Sequence, residues 1–385
     1  MNKKKILMAV ANEYAFDGRV QRAVEALKDD FEIRVVAFKS DRKPKTDGFS
    51  LVEVEVPSFK ENKGIKKIIS NPIIHLYFWL RIFIELIKFK PYIFYGHDFF
   101  MAFPGFLISL FTRVHFIYDA HELIVPSKQY KLDLELNFWY FLEKLAIRRA
   151  KLIITANEER ARIMKEFYGL EEMPVHFRNI SKVHDNKEST ISETFPITKK
   201  ENDLFVIYQG FMDISRGLMD FINAMRYLDE TYKLILIGYG KDYEYIKSYI
   251  RDNFLDNKIF MLEKVPRKHL PMVISMCDIG IVAYGNNSLN EEYCEPNKLY
   301  DYTQLGLPVI CTCQTNLKKI IEKYNIGMVT CCDKTKKGQY AQEIANCLIQ
   351  IRQNLKFHKS NIELFLRDYN WEVEKERLLS HVKKL

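Results

Sequence analysis

The segment Glu295-Pro-Asn-Lys-Leu-Tyr-Asp-Tyr302, followed closely by Gly306-Leu-Pro-Val-Ile310, decides how the rest of this sequence is interpreted. Pro296 suits the first position of a helix, where no amide hydrogen is needed. The unpaired amides and the dipole of the first turn then favour an anion, and Lys298 adds a positive charge. Asp301 projects from the same helical face three residues later. This pattern suits a nucleoside diphosphate, with phosphate at the lysine and ribose hydroxyls at the aspartate. An ordinary salt bridge between the two residues is the alternative.

Apolar runs rich in β-branched residues alternate with helical stretches on both sides of this segment. The predicted strands cover residues 6–11, 33–38, 92–95, 115–118, 152–155, 205–208, 234–237, 259–261, 279–282, 309–311 and 328–330. The predicted helices cover residues 20–28, 65–88, 101–111, 134–150, 158–167, 217–227, 243–254, 270–276, 297–305, 316–323 and 339–353. Continuous apolar strands separated by helices are typical of parallel sheets covered on both faces, so the predicted fold class is α/β.

The polar stretch 181–203 interrupts this alternation and predicts a linker between two similar halves. The halves are residues 1–180 and residues 204–365, with a C-terminal helix over 366–385. In open α/β sheets, ligands bind beyond the carboxyl ends of the strands. We therefore expect the main pocket in a cleft between the two halves.

Composition excludes several classes of protein. The chain has 385 residues, of which 48% are hydrophobic and 28% charged, which excludes a disordered chain and a minimal binding module. Its seven cysteines contain no C-x-x-C pair, so a zinc site is not expected. We expect them instead to be reduced, buried thiols of a cytoplasmic protein. The first apolar run ends at Asn12, too early for a signal peptide, and no uncharged run is long enough to predict a transmembrane helix.

The loops after the predicted strands of the second half carry further candidate ligand-binding groups. Arg216 lies in a strand-to-helix loop, where its planar guanidinium group suits phosphate, although a solvated loop arginine is the commoner case. Gly238-Tyr-Gly240 follows the next strand and is weak evidence alone, because most such pairs are tight turns. The third glycine of a dinucleotide fingerprint is missing, which disfavours an NAD-dependent dehydrogenase.

The first half contributes three polar clusters at or just beyond predicted strand ends. These clusters are Asp17-Gly-Arg19, Gly96-His-Asp98 and Asp119-Ala-His-Glu122. A single histidine usually has a structural role. Two histidine–acid pairs after separate strands raise the expectation of a functional site until it equals that of a structural role.

In the order and spacing of these motifs, the whole chain resembles the family-4 retaining glycosyltransferases. The resemblance rests on the segments already quoted, on Tyr118-Asp-Ala-His-Glu-Leu123, and on Tyr208-Gln-Gly210. It implies the GT-B fold of two facing Rossmann-like domains with a cleft between them, and a tail that returns to the N-terminal domain.

The resemblance also implies transfer of a sugar from a nucleoside-diphosphate donor, with retention at the anomeric carbon and without a metal or other cofactor. The implied catalytic residues are His121, Arg216 and Lys298. The implied donor-binding residues are Gly210, Arg216, Gly238, Gly240, Glu295, Asn297, Lys298, Leu299 and Asp301. The implied acceptor-side residues are Asp17, Arg19, His97 and Asp98.

Two departures from the family pattern concern the donor site. The usual first glutamate falls at Tyr293, and a shifted Glu291, Glu292 or Glu295 is its candidate replacement. The usual first basic residue of the second domain is also absent, since Phe211 or Met212 occupies its region.

The net charge of +8 is concentrated in the first half, and seven of the eight net charges precede residue 201. Residues 60–90 combine seven basic residues with an aromatic, amphipathic helix, which suggests docking on an anionic membrane surface. The alternative to membrane docking, given equal weight, is a helix that packs in the core and exposes its lysines to solvent. Nucleic-acid binding is not expected, because no recognition motif accompanies the basic excess.

The sequence therefore predicts a transferase that builds surface polysaccharide on a saccharide acceptor, with lipid-linked acceptors among the options. It would be a cytoplasmic enzyme, with peripheral attachment to the inner face of the plasma membrane as an option. A nucleotide-sugar epimerase of the same fold and an inactive sugar-nucleotide-binding subunit remain as alternatives.

Overall fold

A computed structural model of the chain describes residues 3–56, 65–126, 134–182, 197–263, 265–266, 269–285, 287–330 and 337–385. Most of the predicted linker, at residues 183–196, lies outside the described residues, as do Lys60 and Lys63 of the basic window. The chain divides into two compact units. Unit 1 comprises Met1–Asn179 and Glu372–Leu385, and unit 2 comprises Ile180–Trp371.

Unit 1 is built on a parallel sheet that has seven strands among the described residues, in the order β3-β2-β1-β4-β5-β6-β7. The strands are β1 (Lys5–Glu13), β2 (Glu32–Phe38), β3 (Ser50–Val54), β4 (Ile93–His97), β5 (His115–Ala120), β6 (Leu152–Thr155) and β7 (Val175–His176). Every pairing is parallel. The strand order reverses between β1 and β4, which is where ligands bind in sheets of this kind.

The helices of unit 1 connect these strands and cover the sheet. They are α1 (Gly18–Leu27), α2 (Ile65–Phe89), α3 (Ala102–Phe111), α4 (Leu134–Ile147) and α5 (Glu158–Tyr168). The central strand β1 is buried from Ile6 to Val10, as the continuous apolar run predicts. Strands β3 and β7 were not predicted, because they are short edge elements and most of their residues are partly exposed.

Unit 2 repeats the same architecture with a six-stranded parallel sheet among its described residues, in the order β10-β9-β8-β11-β12-β13. Its strands are β8 (Leu204–Gln209), β9 (Tyr232–Ile237), β10 (Ile259–Leu262), β11 (Ile279–Val282), β12 (Val309–Thr312) and β13 (Gly327–Thr330). Its helices are α6 (Leu218–Ala224), α7 (Tyr243–Asp252), α8 (Leu270–Ser275), α9 (Leu289–Glu292), α10 (Asn297–Gln304), α11 (Thr315–Tyr324), α12 (Lys337–Gln353) and α13 (Leu355–Asp368). The order reverses between β8 and β11. The predicted α/β fold with two parallel-sheet domains is confirmed.

The last helix, α14 (Trp371–Lys383), begins at Trp371 rather than at residue 366, because α13 runs to Asp368. Within unit 1 a buried ion pair attaches it. Arg178 donates from its backbone nitrogen to Glu374 Oε2 at 2.7 Å and from Nη1 to Oε1 at 3.0 Å. Both side chains are buried. In the described part of the chain, no helix is long and apolar enough to cross a bilayer.

Replacing Glu374 by alanine should lower the free energy of unfolding by about 3–5 kcal/mol, because it removes the buried carboxylate that pairs with the Arg178 guanidinium group. Urea denaturation measures the change. Glu376 carries the same charge on an exposed face of the same helix, so Glu376→Ala is the matched control. Equal effects of the two substitutions would show that the buried pair does not stabilise unit 1.

Candidate functional site

Unit 2 carries a candidate anion site where its strand order reverses. The loop after β8 contains Gly210 and Arg216, and α10 presents Lys298 to the same loop. A Cβ atom placed on Gly210 would lie 3.4 Å from Lys298 Nζ. Pro296 is the residue that precedes the helix rather than its first residue, so that α10 begins at Asn297.

Lys298 is the most unusual group in this site. Its side chain is 7% exposed, and Nζ has no hydrogen-bond partner within the described part of the chain. The ammonium group lies 3.9 Å from the centroid of the Tyr208 ring and 5.2 Å from that of Tyr284. Burial, together with the nearby charge of Arg216, lowers the pKa of Lys298 to about 7. A buried amine without a counter-ion is costly, so its position indicates an anionic ligand.

Arg216 supplies the second cation of the site. It ends a short 3-10 turn, Ile214–Arg216, and its guanidinium carbon lies 5.1 Å from the centroid of the same Tyr284 ring. Both cations therefore contact one aromatic ring, and their charges reinforce each other toward an anion such as a diphosphate.

The predicted ribose-binding carboxylate has a partner in Gln209, the last residue of β8. Asp301 Oδ2 accepts a hydrogen bond from Gln209 Nε2 at 3.0 Å, while Gln209 Oε1 is buried and has no hydrogen-bond partner in the described structure. Asn297 is exposed at the start of α10. Leu299 is fully buried in the core, and its amide donates to the Pro296 carbonyl, so it supports the helix.

The glycines Gly238 and Gly240 allow the loops after β8 and β9 to lie against each other. Gly238 has a φ of 148°, and a Cβ atom there would come within 1.9 Å of the Gly210 carbonyl oxygen. A Cβ atom on Gly240 would come within 2.2 Å of the Met212 carbonyl oxygen. These residues shape the floor of the site by backbone approach.

Two of the three candidate replacements for the missing glutamate at Tyr293 are engaged inside unit 2. Glu295 accepts hydrogen bonds from Tyr300 and from Asn316 Nδ2, and Glu292 accepts one from Thr315.

The remaining candidate, Glu291, lies beside the loop that carries Arg216. Its Oε2 accepts a hydrogen bond from the backbone of Asn287, and a Cβ atom on Gly285 would come within 3.0 Å of that oxygen and 3.1 Å of the Ser215 carbonyl oxygen. This position favours Glu291 among the three carboxylates.

In unit 1 the carboxyl ends of β4 and β5 bring His97, Asp119 and His121 together. His97 Nδ1 lies 3.3 Å from Asp119 Oδ2 and 3.2 Å from His121 Nε2. The first two side chains are fully buried, and that of His121 is 15% exposed. Burial lowers the pKa of His121 to about 4, so the imidazole is neutral at physiological pH. It can exchange hydrogen bonds with a ligand hydroxyl but supplies no positive charge.

Arg19 is buried behind this cluster. Its guanidinium group contacts Asp119 Oδ1 at 2.6 Å and donates to the carbonyl groups of Phe177 and Thr155. Burial alone would raise the pKa of Asp119, but the Arg19 charge holds it well below its usual range. Arg19 was predicted on the acceptor side; since its donors are used inside unit 1, it fixes the strand ends and does not offer its guanidinium group to a ligand.

Asp17 and Asp98 occupy the loops after β1 and β4. Asp17 caps α1 by accepting a hydrogen bond from the Val20 amide at 3.1 Å. Asp98 has a φ of 68°, and its carboxylate accepts a hydrogen bond from the Phe99 amide at 2.8 Å. A non-glycine residue with positive φ at a strand end is strained, and such strain is concentrated at functional sites.

A metal ion is the other group that His97, Asp119 and His121 could hold, since one ligand atom of each lies within 4.8 Å of the others. The donor set fits a divalent cation poorly. The Arg19 guanidinium group already neutralises the only carboxylate of the cluster, and a second cation beside it would be repelled.

Comparisons with known proteins identify the family. The sequence model of the family described as "Glycosyl transferases group 1" matches residues 190–384, half of the chain. The chain belongs to this family. An uncharacterized glycosyltransferase of Methanocaldococcus jannaschii is 22% identical over 284 residues, which cover 70% of this chain and 68% of the relative.

Solved structures share the fold over nearly their whole length. HepE of Anabaena, in a complex with UDP, aligns with a TM-score of 0.73 at 13% identity, covering 99% of this chain and 100% of HepE. WaaG, a glycosyltransferase involved in lipopolysaccharide biosynthesis, aligns with a TM-score of 0.68 at 14% identity, covering 98% of this chain and 99% of WaaG. The predicted GT-B architecture is thereby confirmed, and the family model confirms the predicted transferase class.

Sequence reasoning assigned no site role to three residues that shape the candidate anion site: Tyr208 and Gln209, which it used only as part of a family motif, and Tyr284, which it did not single out. Two of them end strand β8, and Tyr284 follows β11 by one residue. The rule that ligands lie beyond strand carboxyl ends could have found Tyr284, which is the ring shared by the two cations.

Replacing Lys298 by methionine should stabilise the ligand-free glycosyltransferase by about 1–3 kcal/mol, because it removes a buried, unpartnered amine at similar volume. A lysine whose pKa is lowered on folding destabilises the folded protein most below pH 7, where the lysine is charged in both the folded and the unfolded state. The gain should therefore be larger at pH 6 than at pH 9.

Denaturation at the two pH values measures this gain. Lys247→Met removes an exposed lysine on α7 and should be neutral at both. A destabilised Lys298→Met variant would contradict the assignment of Lys298 as an uncompensated charge.

Proposed function

We propose that this glycosyltransferase moves a sugar from a nucleoside-diphosphate donor to a saccharide acceptor with retention at the anomeric carbon. The observation that carries the proposal is the convergence of the buried Lys298 ammonium group and the Arg216 guanidinium group on Tyr284, at the reversal point of the unit 2 sheet. The UDP bound to the Anabaena relative supports a nucleoside diphosphate as the ligand class.

The proposed chemistry uses these cations to stabilise the leaving group. The bond from the anomeric carbon to the phosphate oxygen breaks, and its electron pair moves to the diphosphate while positive charge grows on the sugar ring. Lys298 and Arg216 are positioned before the reaction, so they stabilise this charge without reorganisation. Gln209 orients Asp301, which would accept from the ribose hydroxyls.

Retention follows if the acceptor attacks the face that the diphosphate leaves. The acceptor oxygen bonds to the anomeric carbon, and its proton passes to the departing phosphate oxygen, which needs no side-chain base. We assign the neutral imidazole of His121 to hydrogen bonds with the donor sugar, and the loops that carry Asp17 and Asp98 to the acceptor. No metal is required in this scheme, because the two cations neutralise the diphosphate.

The proposed biological role is the synthesis of surface polysaccharide on a lipid-linked acceptor at the inner face of the plasma membrane. The structural likeness to WaaG supports this role. The basic excess of the first 200 residues is consistent with an acceptor held near anionic lipid.

A thermal-shift panel of UDP, GDP, ADP and CMP identifies the base, since binding to the folded state raises the unfolding midpoint. With the matching sugar nucleotide, Arg216→Ala and Lys298→Ala should each lower kcat by about 10²–10³, the cost of one lost oxyanion donor. EDTA should leave kcat unchanged. The controls are Arg226→Ala and Lys247→Ala, which remove exposed cations of unit 2.

Near-normal turnover in the two site variants would contradict the proposed function. If the protein converts the donor to an epimer when no acceptor is present, the proposed transferase function is replaced by that of an epimerase. Nucleotide binding with neither transfer nor donor hydrolysis would replace it by an inactive binding subunit.

A further inference from the structure

Helix α2 exposes a stripe of large apolar side chains. Ile73, Leu76, Tyr77 and Leu80 are each between 44% and 66% exposed. Their spacing of three, four and seven residues places them on one face of the helix. The opposite face packs in the core through Phe78, which is fully buried. A surface helix of a soluble domain normally carries polar residues on its outer face, so this stripe requires an explanation.

Helix α4 repeats the pattern independently. Leu134, Phe138 and Phe141 are 91%, 54% and 57% exposed, and they are spaced by four and seven residues. Trp139 and Leu142 on the other face of the same helix are buried. Because two helices have the same kind of apolar outer face, a chance scatter of exposed apolar residues does not explain the pattern.

The two helices are neighbours in unit 1. Trp79 of α2 and Trp139 of α4 have ring centroids 6.4 Å apart at an interplanar angle of 88°. Trp79 also contacts Phe103 of α3 at 5.1 Å, and Phe138 contacts Trp139 at 5.3 Å. The stripes therefore flank one aromatic cluster and belong to one region of the unit 1 surface.

The sequence segments that carry α2 and α4 are rich in exposed positive charge. Within residues 73–126 and 134–151 the exposed ionic side chains are seven basic and two acidic. The basic residues are Lys88, Lys90, Arg113, Lys144, Arg148, Arg149 and Lys151, and the acidic ones are Glu122 and Glu135. Each helix also carries an exposed lysine beyond its stripe: Lys88 lies eight residues after Leu80 on α2, and Lys144 lies three residues after Phe141 on α4.

Apolar side chains bordered by cations match the surface of an anionic bilayer, where the former enter the acyl boundary and the latter meet phosphate. A second copy of the chain is a poorer match, because two such faces would bring like charges together. We propose that the outer faces of α2 and α4, with Ile73, Leu76, Tyr77, Leu80, Leu134, Phe138 and Phe141, form a lipid-docking surface for anionic membranes. This inference deepens the proposed function by naming the surface that meets the membrane of a lipid-linked acceptor.

Flotation of the full chain with phosphatidylcholine vesicles, with and without 30% phosphatidylglycerol, tests the docking surface. We expect binding to the anionic vesicles that weakens in 0.5 M salt, and little binding to the neutral ones. Leu76→Gln and Phe138→Gln should each lower the partition coefficient about tenfold or more, and Lys88→Glu with Lys144→Glu should remove the preference for anionic lipid. Phe357→Gln, an exposed phenylalanine on α13 of unit 2, is the matched control.

Absence of anionic-vesicle binding, or equal binding by Phe138→Gln and Phe357→Gln, would overturn the docking surface. So would a dimer, seen by light scattering, that Phe138→Gln dissociates. Nucleotide binding measured on the same variants keeps the two proposals separate. Retained nucleotide binding with failed flotation overturns the docking surface alone, and wild-type protein that binds no nucleotide overturns the proposed function.

Discussion

The buried ammonium group of Lys298 is the constraint on which the rest of the candidate anion site in unit 2 depends. It lies against the ring of Tyr208 and beside a glycine that leaves room for it, and it belongs to the first turn of α10. The neighbouring Arg216 adds a like charge, and Nζ has no hydrogen-bond partner within the described part of the chain. Such a group is tolerated when a ligand compensates it, which links the lost stability of the ligand-free unit to the binding of an anion.

In unit 1 a buried positive charge is compensated by groups of the same unit. Its buried guanidinium group, Arg19, has a carboxylate and two carbonyl groups as partners, so the charge is compensated inside the unit. The consequence is a rigid set of strand ends on which His121 is held neutral and partly exposed. One unit thus offers charge to a ligand, and the other offers uncharged hydrogen-bonding groups on a fixed frame.

The sequence was sufficient for the fold but not for the state of the site residues. Each predicted strand overlaps an observed one, because buried parallel strands are continuous apolar runs. The edge strands β3 and β7 were not predicted, because their half-buried residues do not form a continuous apolar run in the sequence. The position of Lys298 at a helix tip was predictable from Pro296, whereas its burial depends on Tyr208 and Tyr284, which are distant in sequence. Arg19 was predicted on the acceptor side, because its buried partner Asp119 lies a hundred positions away in sequence and the pair could not be foreseen.

Proton uptake during nucleotide binding tests the role of Lys298 most directly. Isothermal titration in buffers of different ionisation enthalpy gives the number of protons taken up with the nucleoside diphosphate. Since the pKa of Lys298 is about 7 in the free protein and a bound diphosphate raises it, uptake should approach one proton between pH 8 and 9. Affinity should fall by up to about tenfold per pH unit over the same range, and Lys298→Met should show neither effect. Tight binding without proton uptake at pH 8.5, or the same uptake in Lys298→Met, would contradict the assignment of Lys298 as the diphosphate-binding cation.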